Sequence, residues 1–332
     1  MNINRIGVLG AGAWGTTLAI VAHRAGRKVA LWVRRPEQVH ALASIRENTL
    51  HLPGIKIDPA IAITGDIHHA LEADAVLVAL PAQHLREHLA PLAWPASIPA
   101  VICAKGIERG SLASMPELMG AIQPKAPLAM LSGPTFAIEV AQGKPAAIVI
   151  AASDVALAED IAAAIATPEF RPYASDDLVG VALGGAVKNV LAIGCGMVVG
   201  RGLGENARAA LVTRGLAELA RLVDAAGGRR ETAMGLSGAG DLILTATSSQ
   251  SRNTSLGEAL GSGRTLTEIL AQRKSVAEGV ESAAAVVALA DKFGVEMPIC
   301  ESVSAILAGG SIDDELRRLL SRPLKRESEA AS

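Results

Sequence analysis

A lysine lies in the middle of the most apolar segment of this 332-residue chain. The segment runs from Val179 to Gly200, and its only polar side chains are those of Lys188 and Asn189. Burial of an ammonium group is costly unless a partner or a ligand takes up its charge. Desolvation also lowers the pKa of a lysine readily, and acid/base lysines arise in this way. Lys188 therefore either pairs with a carboxylate or faces a pocket where it exchanges a proton.

Polar or small residues follow two of the apolar runs that read as strands. Lys105 comes directly after Ala100–Ala104, and Gly133 and Thr135 come shortly after Leu128–Leu131. Open α/β sheets bind ligands at the carboxyl ends of their parallel strands. We therefore expect these residues to line a binding crevice, although the position of Lys105 alone is equally consistent with a surface lysine.

A third group of polar residues lies in the second half of the chain. Asp241 and Thr245 are four residues apart, so they share a face if their segment is helical. Ser251, Arg252 and Asn253 follow as a triplet. An arginine binds a phosphate or carboxylate with two hydrogen bonds, and an asparagine can orient a hydroxyl group. These residues are candidates for a substrate site.

The first residues of the chain carry a dinucleotide-binding motif. Gly10, Gly12 and Gly15 have the spacing G-x-G-x-x-G, directly after the predicted strand Arg5–Leu9 and at the start of a predicted helix. Gly10 permits the tight turn, Gly12 lets the backbone approach a pyrophosphate, and Gly15 lets helix and strand pack closely. The free amides at the helix start would bind the phosphates.

The end of the second predicted strand indicates which dinucleotide binds. An NAD site usually has an acidic residue there, whereas this chain has Arg34 and Arg35. Two guanidinium groups suit a 2′-phosphate, which favours NADP(H), and use of NAD(H) as well is not excluded. The alternative is that one or both are ordinary exposed arginines.

One motif points to a different chemistry. The sequence from His84 to His88 fits H-x-x-E-H, an inverted zinc-protease pattern. A protease would need a further ligand on a partner helix, and this stretch follows a strand of a nucleotide-binding domain. We interpret these residues as a helix surface beside the cofactor site and predict no metal.

Short apolar runs alternate with helical patterns in the first half of the chain. This order predicts a doubly wound, mostly parallel sheet covered by helices. The predicted strands are Arg5–Leu9, Lys28–Val33, Ala75–Leu80, Ala100–Ala104, Leu128–Leu131 and Ala147–Ile150, and Gly15–Ala25 is the first predicted helix.

Strand-like runs disappear after Tyr173, and helical spacing dominates in segments such as Ala207–Ala226 and Val280–Phe293. We predict a Rossmann-type domain over 1–176, an all-α substrate domain over 177–322 and a disordered tail over 323–332.

Composition excludes several classes of protein. A net charge of −2 gives no sign of nucleic-acid binding. The N-terminus lacks the pattern of a signal peptide. The apolar run 179–200 contains glycines and a lysine without aromatic anchors, so we expect a buried helix and no membrane insertion. The cysteines Cys103, Cys195 and Cys300 are widely spaced in apolar surroundings, which predicts packing roles in a reducing cytoplasm.

The sequence resembles the bacterial NAD(P)-dependent glycerol-3-phosphate dehydrogenases over nearly its whole length. The segments that carry the resemblance are GAGAWGTTLA (10–19), LPG (52–54), LPAQHLR (80–86), AKGIE (104–108), LSGPTFAIEVAQGKP (131–145), GGAVKNVLAIGCGMVVGRGLGENARAALVTRGLAEL (184–219), GLSGAGDLILTATSSQSRN (235–253) and VAEGV (276–280). Together, in family order, they are far more specific than any one motif.

The resemblance implies roles for individual residues. Lys188 would be the proton donor and acceptor, with Lys105 and Asp241 as further catalytic residues. The implied substrate contacts are Lys105, Gly133, Thr135, Lys188, Asn189, Asp241, Thr245, Ser251, Arg252 and Asn253. The implied cofactor contacts are Gly10, Gly12, Ala13, Trp14, Gly15, Arg34, Arg35, Lys105, Ala137, Arg252, Val276 and Glu278.

The reaction that the resemblance implies is the reversible reduction of dihydroxyacetone phosphate to sn-glycerol 3-phosphate. A hydride moves between nicotinamide C4 and substrate C2, and Lys188 exchanges the proton of the C2 oxygen. The product would supply phospholipid synthesis. The small-molecule substrate would be the main partner, and Ala- and Gly-rich helices suggest a homodimer.

The chain departs from the family pattern at several positions. Ala13 replaces a common serine, His51 a usual tyrosine and Glu205 a usual aspartate. Thr254 and Ser255 stand where two further basic residues commonly follow the SRN triplet, which weakens the local positive charge but leaves Arg252.

Two other functions are compatible with part of this pattern. A related β-hydroxyacid dehydrogenase would have its lysine and asparagine about one helical turn apart, whereas Lys188 and Asn189 are adjacent here. A non-catalytic NADP sensor would not need a lysine in an apolar segment, nor Asp241 and Arg252.

Overall fold

The computed structural model describes residues 1–273, 277–324 and 326, and these divide into two compact units. The first unit comprises Met1–Ala104 and Met115–Leu178. The second comprises Lys105–Ser114 and the described residues from Val179 onward. Lys105 therefore belongs to the same unit as Lys188 and Asp241.

The first unit contains an eight-stranded sheet flanked by helices. Its strands are β1 Arg5–Leu9, β2 Lys28–Trp32, β3 Ala62–Thr64, β4 Ala75–Val78, β5 Ala100–Ile102, β6 Leu128–Ser132, β7 Ala146–Ala151 and β8 Phe170–Ser175. Its helices are α1 Ala13–Arg24, α2 Pro36–Ile45, α3 Ile67–Leu71, α4 Leu85–Leu89, α5 Met115–Ile122, α6 Ala137–Ala141 and α7 Val155–Ile165, with a 3-10 turn at Ala82–His84.

The strand order is β3-β2-β1-β4-β5-β6-β7-β8, and the order reverses direction at β1. All neighbouring strands are parallel except β6 and β7, which are antiparallel. The predicted doubly wound, mostly parallel sheet is confirmed. The core strands alternate with helices in the chain and are buried on both faces, as their unbroken apolar sequences require.

Several predicted boundaries were wrong by a few residues, and two strands were missed. Strand β4 ends at Val78 rather than Leu80, and β5 ends at Ile102 rather than Ala104. The missed strands are both at the sheet edges. Strand β3 has only three residues, and β8 contains Pro172 and several exposed side chains, so neither has an apolar run.

The second unit is helical in the part of it that the structure describes. Its helices are α8 Leu178–Gly200, α9 Glu205–Ala225, α10 Arg230–Ala233, α11 Asp241–Ala246, α12 Arg252–Gly261, α13 Leu266–Ala271, α14 Glu278–Phe293, α15 Pro298–Leu307 and α16 Ile312–Leu320, with a π-helical turn at Leu236–Gly240. Their apolar faces surround α8 and form a separate core.

Helix α8 is the apolar segment singled out in the sequence. Its length and composition would suffice to cross a membrane, but 89% of its most apolar stretch is buried inside the fold. It is therefore the core helix of this unit, and it is continuous from Leu178 to Gly200. The three cysteines are free and buried, as predicted.

Close backbone contact explains why α8 is rich in glycine. A Cβ atom added at Gly196 would overlap the carbonyl oxygen of Thr254, and one added at Gly200 would overlap that of Glu258. On α12, a Cβ at Gly257 would overlap the carbonyl oxygen of Ile193. The two helices cross with their backbones in contact, which fixes Asn253 beside Asn189.

A buried carboxyl group joins two other helices of this unit. Glu218 on α9 is 2% exposed, and its oxygens accept hydrogen bonds from the amides of Ile299 at 2.7 Å and Cys300 at 3.2 Å, in the first turn of α15. Burial raises the pKa of Glu218 to about 7, against the opposing effect of these two amides.

The raised pKa of Glu218 predicts a pH-dependent stability. The folded chain binds more protons than the unfolded chain between the ordinary pKa of 4.5 and about 7. The free energy of unfolding should therefore fall by about 3 kcal/mol as pH rises through that range. Glu218→Gln keeps one acceptor oxygen and does not titrate, so it should lose this part of the pH dependence.

Urea unfolding of wild type and Glu218→Gln at about pH 5 and about pH 8 measures the difference. Glu231→Gln, at an exposed position on α10, is the matched control. Equal pH dependence of wild type and Glu218→Gln would contradict the prediction.

Candidate active site

The glycine-rich turn between β1 and α1 has the conformation that a phosphate-binding turn needs. Gly10 has φ +109°, and a Cβ there would lie 2.8 Å from the carbonyl oxygen of Ala79. A Cβ at Gly15 would overlap the carbonyl oxygen of Gly10, so helix and strand pack closely. A Cβ at Gly12 would meet nothing within 4 Å. The space beside Gly12 therefore fits an approaching pyrophosphate.

The start of α1 can bind that pyrophosphate through its backbone. Gly12 is the N-cap and makes no side-chain capping hydrogen bond. The first amides of a helix have no partner within the helix, and the helix dipole favours an anion there. Ala13 and Trp14 occupy the first two helical positions and are half-buried. The residues present thus fit a dinucleotide.

A residue that the sequence analysis missed supports the turn. Asn48 is buried, and its Nδ2 donates to the carbonyl oxygen of Ala11 and to Oγ1 of Thr16, both at 2.8 Å. Its Oδ1 accepts the amide of His51 at 3.2 Å. Asn48 therefore fixes the conformation of the turn. No motif marks it, because a single asparagine in a loop has no pattern.

The other predicted cofactor residues of this unit lie at strand and helix ends. Arg34 and Arg35 follow β2 and are exposed, and Arg35 is the N-cap of α2. Ala137 is the first residue of α6, and its carbonyl oxygen accepts the hydroxyl of Thr17 at 3.0 Å. Val276 lies outside the described residues.

Two predicted substrate residues follow β6 in the same unit. Gly133 has φ +138°, and a Cβ there would lie 2.9 Å from Cα of Ile148 on the antiparallel neighbour β7. Only glycine fits this position without strain. The hydroxyl of Thr135 donates to the carbonyl oxygen of Gly133 at 3.4 Å, which closes the turn.

The histidines of the H-x-x-E-H pattern make contacts that do not suit a metal. His84 Nδ1 lies 3.3 Å from Glu87 Oε2, and His88 Nε2 lies 3.1 Å from the guanidinium of Arg34. A guanidinium at that distance repels a cation. Among residues 1–273, 277–324 and 326, no group of three or more His, Cys, Asp and Glu side chains could hold a metal ion.

A carboxylate in the second unit bridges two lysines. Asp241 begins α11, and its Oδ2 accepts from Lys105 Nζ at 2.5 Å while its Oδ1 accepts from Lys188 Nζ at 2.9 Å. Lys188 is 8% exposed and Asp241 1% exposed. The lysine in the apolar helix therefore has a carboxylate partner, and a second ammonium lies beside it.

The electrostatics of this trio favour a lysine that can lose its proton. Burial lowers the pKa of Lys188 below its ordinary value of 10.5; Asp241 opposes this shift, and Lys105 adds to it. Burial disfavours ionisation of Asp241, but the two ammonium groups outweigh it and hold the pKa of Asp241 below its ordinary value. Asp241 thus stays ionised while Lys188 becomes a better acid.

Two threonines fix the geometry of Lys188 and Asp241. Thr245 lies one turn after Asp241 on α11, and its Oγ1 accepts from Lys188 Nζ at 3.1 Å. Thr254 is buried, and its hydroxyl donates to the carbonyl oxygen of Thr245 at 2.6 Å. The residue that replaces a usual basic residue of the family therefore ties α12 to the end of α11.

A chain of amides extends from Lys188 to the start of α14. Asn253 Nδ2 donates to Asn189 Oδ1 at 2.8 Å, and Asn253 Oδ1 accepts the amide of Gly279 at 3.0 Å. Asn189 Nδ2 donates to Glu278 Oε2 at 3.2 Å. The charge of Glu278 also raises the pKa of Lys188, but its effect is smaller than the effects of burial, Asp241 and Lys105. This carboxylate was predicted only as a cofactor contact.

The remaining predicted residues begin α12. Ser251 is its N-cap and accepts the amide of Thr254 at 3.2 Å, and Arg252 is exposed in its first turn. Arg273 donates to the carbonyl oxygen of Arg252 at 2.8 Å and to the hydroxyl of Ser255 at 3.0 Å. This arginine was missed, and it places a second guanidinium where the sequence lacks the usual basic pair.

Comparisons with family profiles and with individual known proteins all indicate the same family. The profile of the NAD-dependent glycerol-3-phosphate dehydrogenase N-terminus matches residues 5–158, and that of the C-terminus matches residues 177–316. A glycerol-3-phosphate dehydrogenase (NAD(P)+) of Rhodospirillum rubrum is 57% identical over 335 residues, with 99% of this chain and 96% of that protein covered. One from Caulobacter vibrioides is 54% identical, with 99% and 100% covered.

A solved structure shows the same fold. The crystal structure of glycerol-3-phosphate dehydrogenase from Coxiella burnetii superposes with a TM-score of 0.91 at 36% identity. The match covers 96% of this chain and 99% of that one. The similarity therefore includes both units, as the sequence resemblance predicts.

Proposed function

This chain belongs to the NAD-dependent glycerol-3-phosphate dehydrogenase family, and we propose that it reduces dihydroxyacetone phosphate to sn-glycerol 3-phosphate reversibly with NAD(P)H. The observation that carries the proposal is the Lys105–Asp241–Lys188 trio. Ketone reduction needs a proton donor at the carbonyl oxygen and a positive environment for the developing alkoxide. A buried lysine with a second lysine beside it supplies both.

When bound, NAD(P)H supplies the hydride that reaches C2 of the substrate. Lys188, as the ammonium, donates a hydrogen bond to the C2 carbonyl oxygen and then transfers its proton to that oxygen. The lone pair left on Nζ is reprotonated from solvent before the next turnover. Lys105 adds positive charge at the same oxygen, and Asp241 orients both amines.

The other polar residues of the second unit have binding roles in this proposal. Arg252 binds the substrate phosphate with two charge-assisted hydrogen bonds. Asn189 and Asn253 orient the substrate hydroxyl, with Ser251 and Thr245 beside them. Gly133 and Thr135 remain predicted substrate contacts, and Glu278 and Ala137 remain predicted cofactor contacts.

Cofactor binding belongs to the glycine-rich turn and to Arg34 and Arg35. The amides at the start of α1 bind the pyrophosphate, and the two guanidinium groups bind the 2′-phosphate of NADP(H). We further propose that the enzyme prefers NADP(H), acts in the cytoplasm as a homodimer and supplies glycerol 3-phosphate for phospholipid synthesis.

Removal of both guanidinium groups tests the cofactor preference. The double variant Arg34→Ala, Arg35→Ala should lower kcat/KM for NADPH by at least about tenfold, because each charge-assisted hydrogen bond to phosphate is worth more than 1 kcal/mol. The value for NADH should stay within about threefold, since NADH has no 2′-phosphate. Lys28→Ala, at the other end of β2, is the control. Equal losses with both cofactors would contradict the preference.

The function itself is tested by measuring the oxidation of NADPH and NADH, which is monitored through the absorbance of the reduced nicotinamide. Turnover with dihydroxyacetone phosphate and none with a β-ketoacid supports the proposal. Turnover with the β-ketoacid alone would support a β-hydroxyacid dehydrogenase. Dinucleotide binding with no turnover of either substrate would support a sensor.

A further inference from the structure

The segment from His84 to His88 has a position that its metal-like pattern does not explain. His88 is half-buried on α4, and its Nε2 lies 3.1 Å from Nη1 of Arg34, directly after β2. The imidazole also meets the Trp32 ring edge to face, with ring centroids 6.5 Å apart. Trp32 is the last residue of β2. The histidine is thus fixed beside a guanidinium proposed to bind the 2′-phosphate.

The charged neighbours of His88 come from three elements. Burial lowers the pKa of His88 most; Glu87 on the same helix raises it, and Arg34 and His84 lower it. The ring of His84 lies 6.3 Å away, in the preceding 3-10 turn. In the absence of an anion, the imidazole is therefore neutral at neutral pH, and Nε2 accepts the hydrogen bond that Arg34 donates.

An anion beside Arg34 changes this balance. A 2′-phosphate carries close to two negative charges at neutral pH, since its second pKa is about 6, and its oxygens are strong acceptors. It compensates the charge of Arg34 and attracts a proton to the imidazole. A protonated His88 then donates to the phosphate instead of accepting from Arg34.

We propose that His88 forms part of the subsite for the 2′-phosphate of NADP(H) and takes up a proton when that phosphate binds. This inference rests on the proposed dinucleotide function of the glycine-rich turn. The second histidine of the H-x-x-E-H pattern then serves an anion rather than a metal. His88 is a determinant of cofactor choice, and the preference for NADP(H) over NAD(H) rises as pH falls from about 8 towards 7, because binding is linked to proton uptake.

The direct test is titration calorimetry with NADP+ and NAD+ at about pH 7.5, in buffers of different ionisation enthalpy. The slope of binding enthalpy against buffer enthalpy gives the number of protons taken up. We expect the number of protons taken up to be larger for NADP+ binding than for NAD+ binding, by a substantial fraction of one proton. The affinity for NADP+, and not that for NAD+, should increase at lower pH.

His88→Gln removes the titrating group and keeps a polar side chain of similar size. It should abolish the extra proton uptake and weaken NADP+ binding by about tenfold, the value of one charge-assisted hydrogen bond to the phosphate. NAD+ binding by the same variant reports that it is folded. His84→Gln, one turn earlier in contact with Glu87, is the matched control and should retain the extra uptake.

The outcomes separate this inference from the function on which it rests. Equal proton uptake with NADP+ and NAD+, or equal losses of affinity for both in His88→Gln, would overturn the role of His88 while leaving dinucleotide binding intact. Failure of the wild-type protein to bind either dinucleotide would overturn both proposals. Retention of the extra uptake in His88→Gln would assign the proton to another group and overturn the inference.

Discussion

Lys188→Ala is expected to lower kcat for reduction of dihydroxyacetone phosphate by about 10²–10⁴-fold, the usual contribution of general acid catalysis. Lys188 is the buried cation of α8, and its Nζ contacts both Asp241 and Thr245. Alanine leaves the carbonyl oxygen without its proton donor. Lys105 stays paired with Asp241, so part of the positive field at the site survives.

Binding measurements should separate this loss from a loss of structure. The affinity for NADPH should stay close to that of wild type, because the predicted pyrophosphate and 2′-phosphate sites belong to the first unit. Lys292→Ala, at an exposed position of α14, is the control for removal of a lysine from the same unit. A kcat within about tenfold of wild type would contradict the acid/base role of Lys188.

Asp241→Asn is expected to have the second large effect, with a loss of stability and a shift of the pH profile together. The substitution leaves two ammonium groups without the carboxylate that they share at 2.5 and 2.9 Å. Breaking one partner of a buried ion pair costs about 3–5 kcal/mol. The free energy of unfolding should fall by an amount of this order at neutral pH.

The direction of the pH shift follows from the charges. Asp241 raises the pKa of Lys188, so its removal lowers that pKa further below 10.5. Reduction requires the ammonium form, and its rate should therefore begin to fall at a lower pH in the variant than in wild type. Oxidation of glycerol 3-phosphate requires the neutral amine, and its rate should rise at a lower pH.

Profiles of kcat/KM against pH in both directions measure this shift. Asp291→Asn, at an exposed position of α14, is the matched control and should leave both profiles in place. A merely structural role for Asp241 would lower the stability and the fraction of active enzyme without moving either profile. That outcome would contradict the electrostatic role.

Local pattern was enough to predict much of the fold. Unbroken apolar runs gave the inner strands, and the G-x-G-x-x-G spacing placed the first turn. The edge strands β3 and β8 were not predicted, because an edge strand needs no apolar run. Local pattern also did not predict the contact between Lys105 and Asp241, since this contact depends on the packing of Lys105–Ser114 with the helical unit.

The site was predictable where residue type and spacing coincide with chemistry, as at Lys188 and at Asp241 with Thr245. The supporting residues were not. Asn48, Thr254 and Arg273 each donate a hydrogen bond to a backbone carbonyl oxygen, 37, 9 and 21 positions away in the sequence respectively. Such contacts leave no repeating pattern in the sequence, and the partner residues come together only when the chain folds.

The backbone contact between α8 and α12 has a consequence for engineering. Helices are commonly stabilised by replacing glycine with alanine, since alanine restricts the unfolded chain and favours the helix by up to about 1 kcal/mol. That route is closed at Gly196, Gly200 and Gly257, where a methyl group would collide with a carbonyl oxygen of the other helix. Stabilisation by glycine-to-alanine substitution therefore has to be sought at positions other than these three.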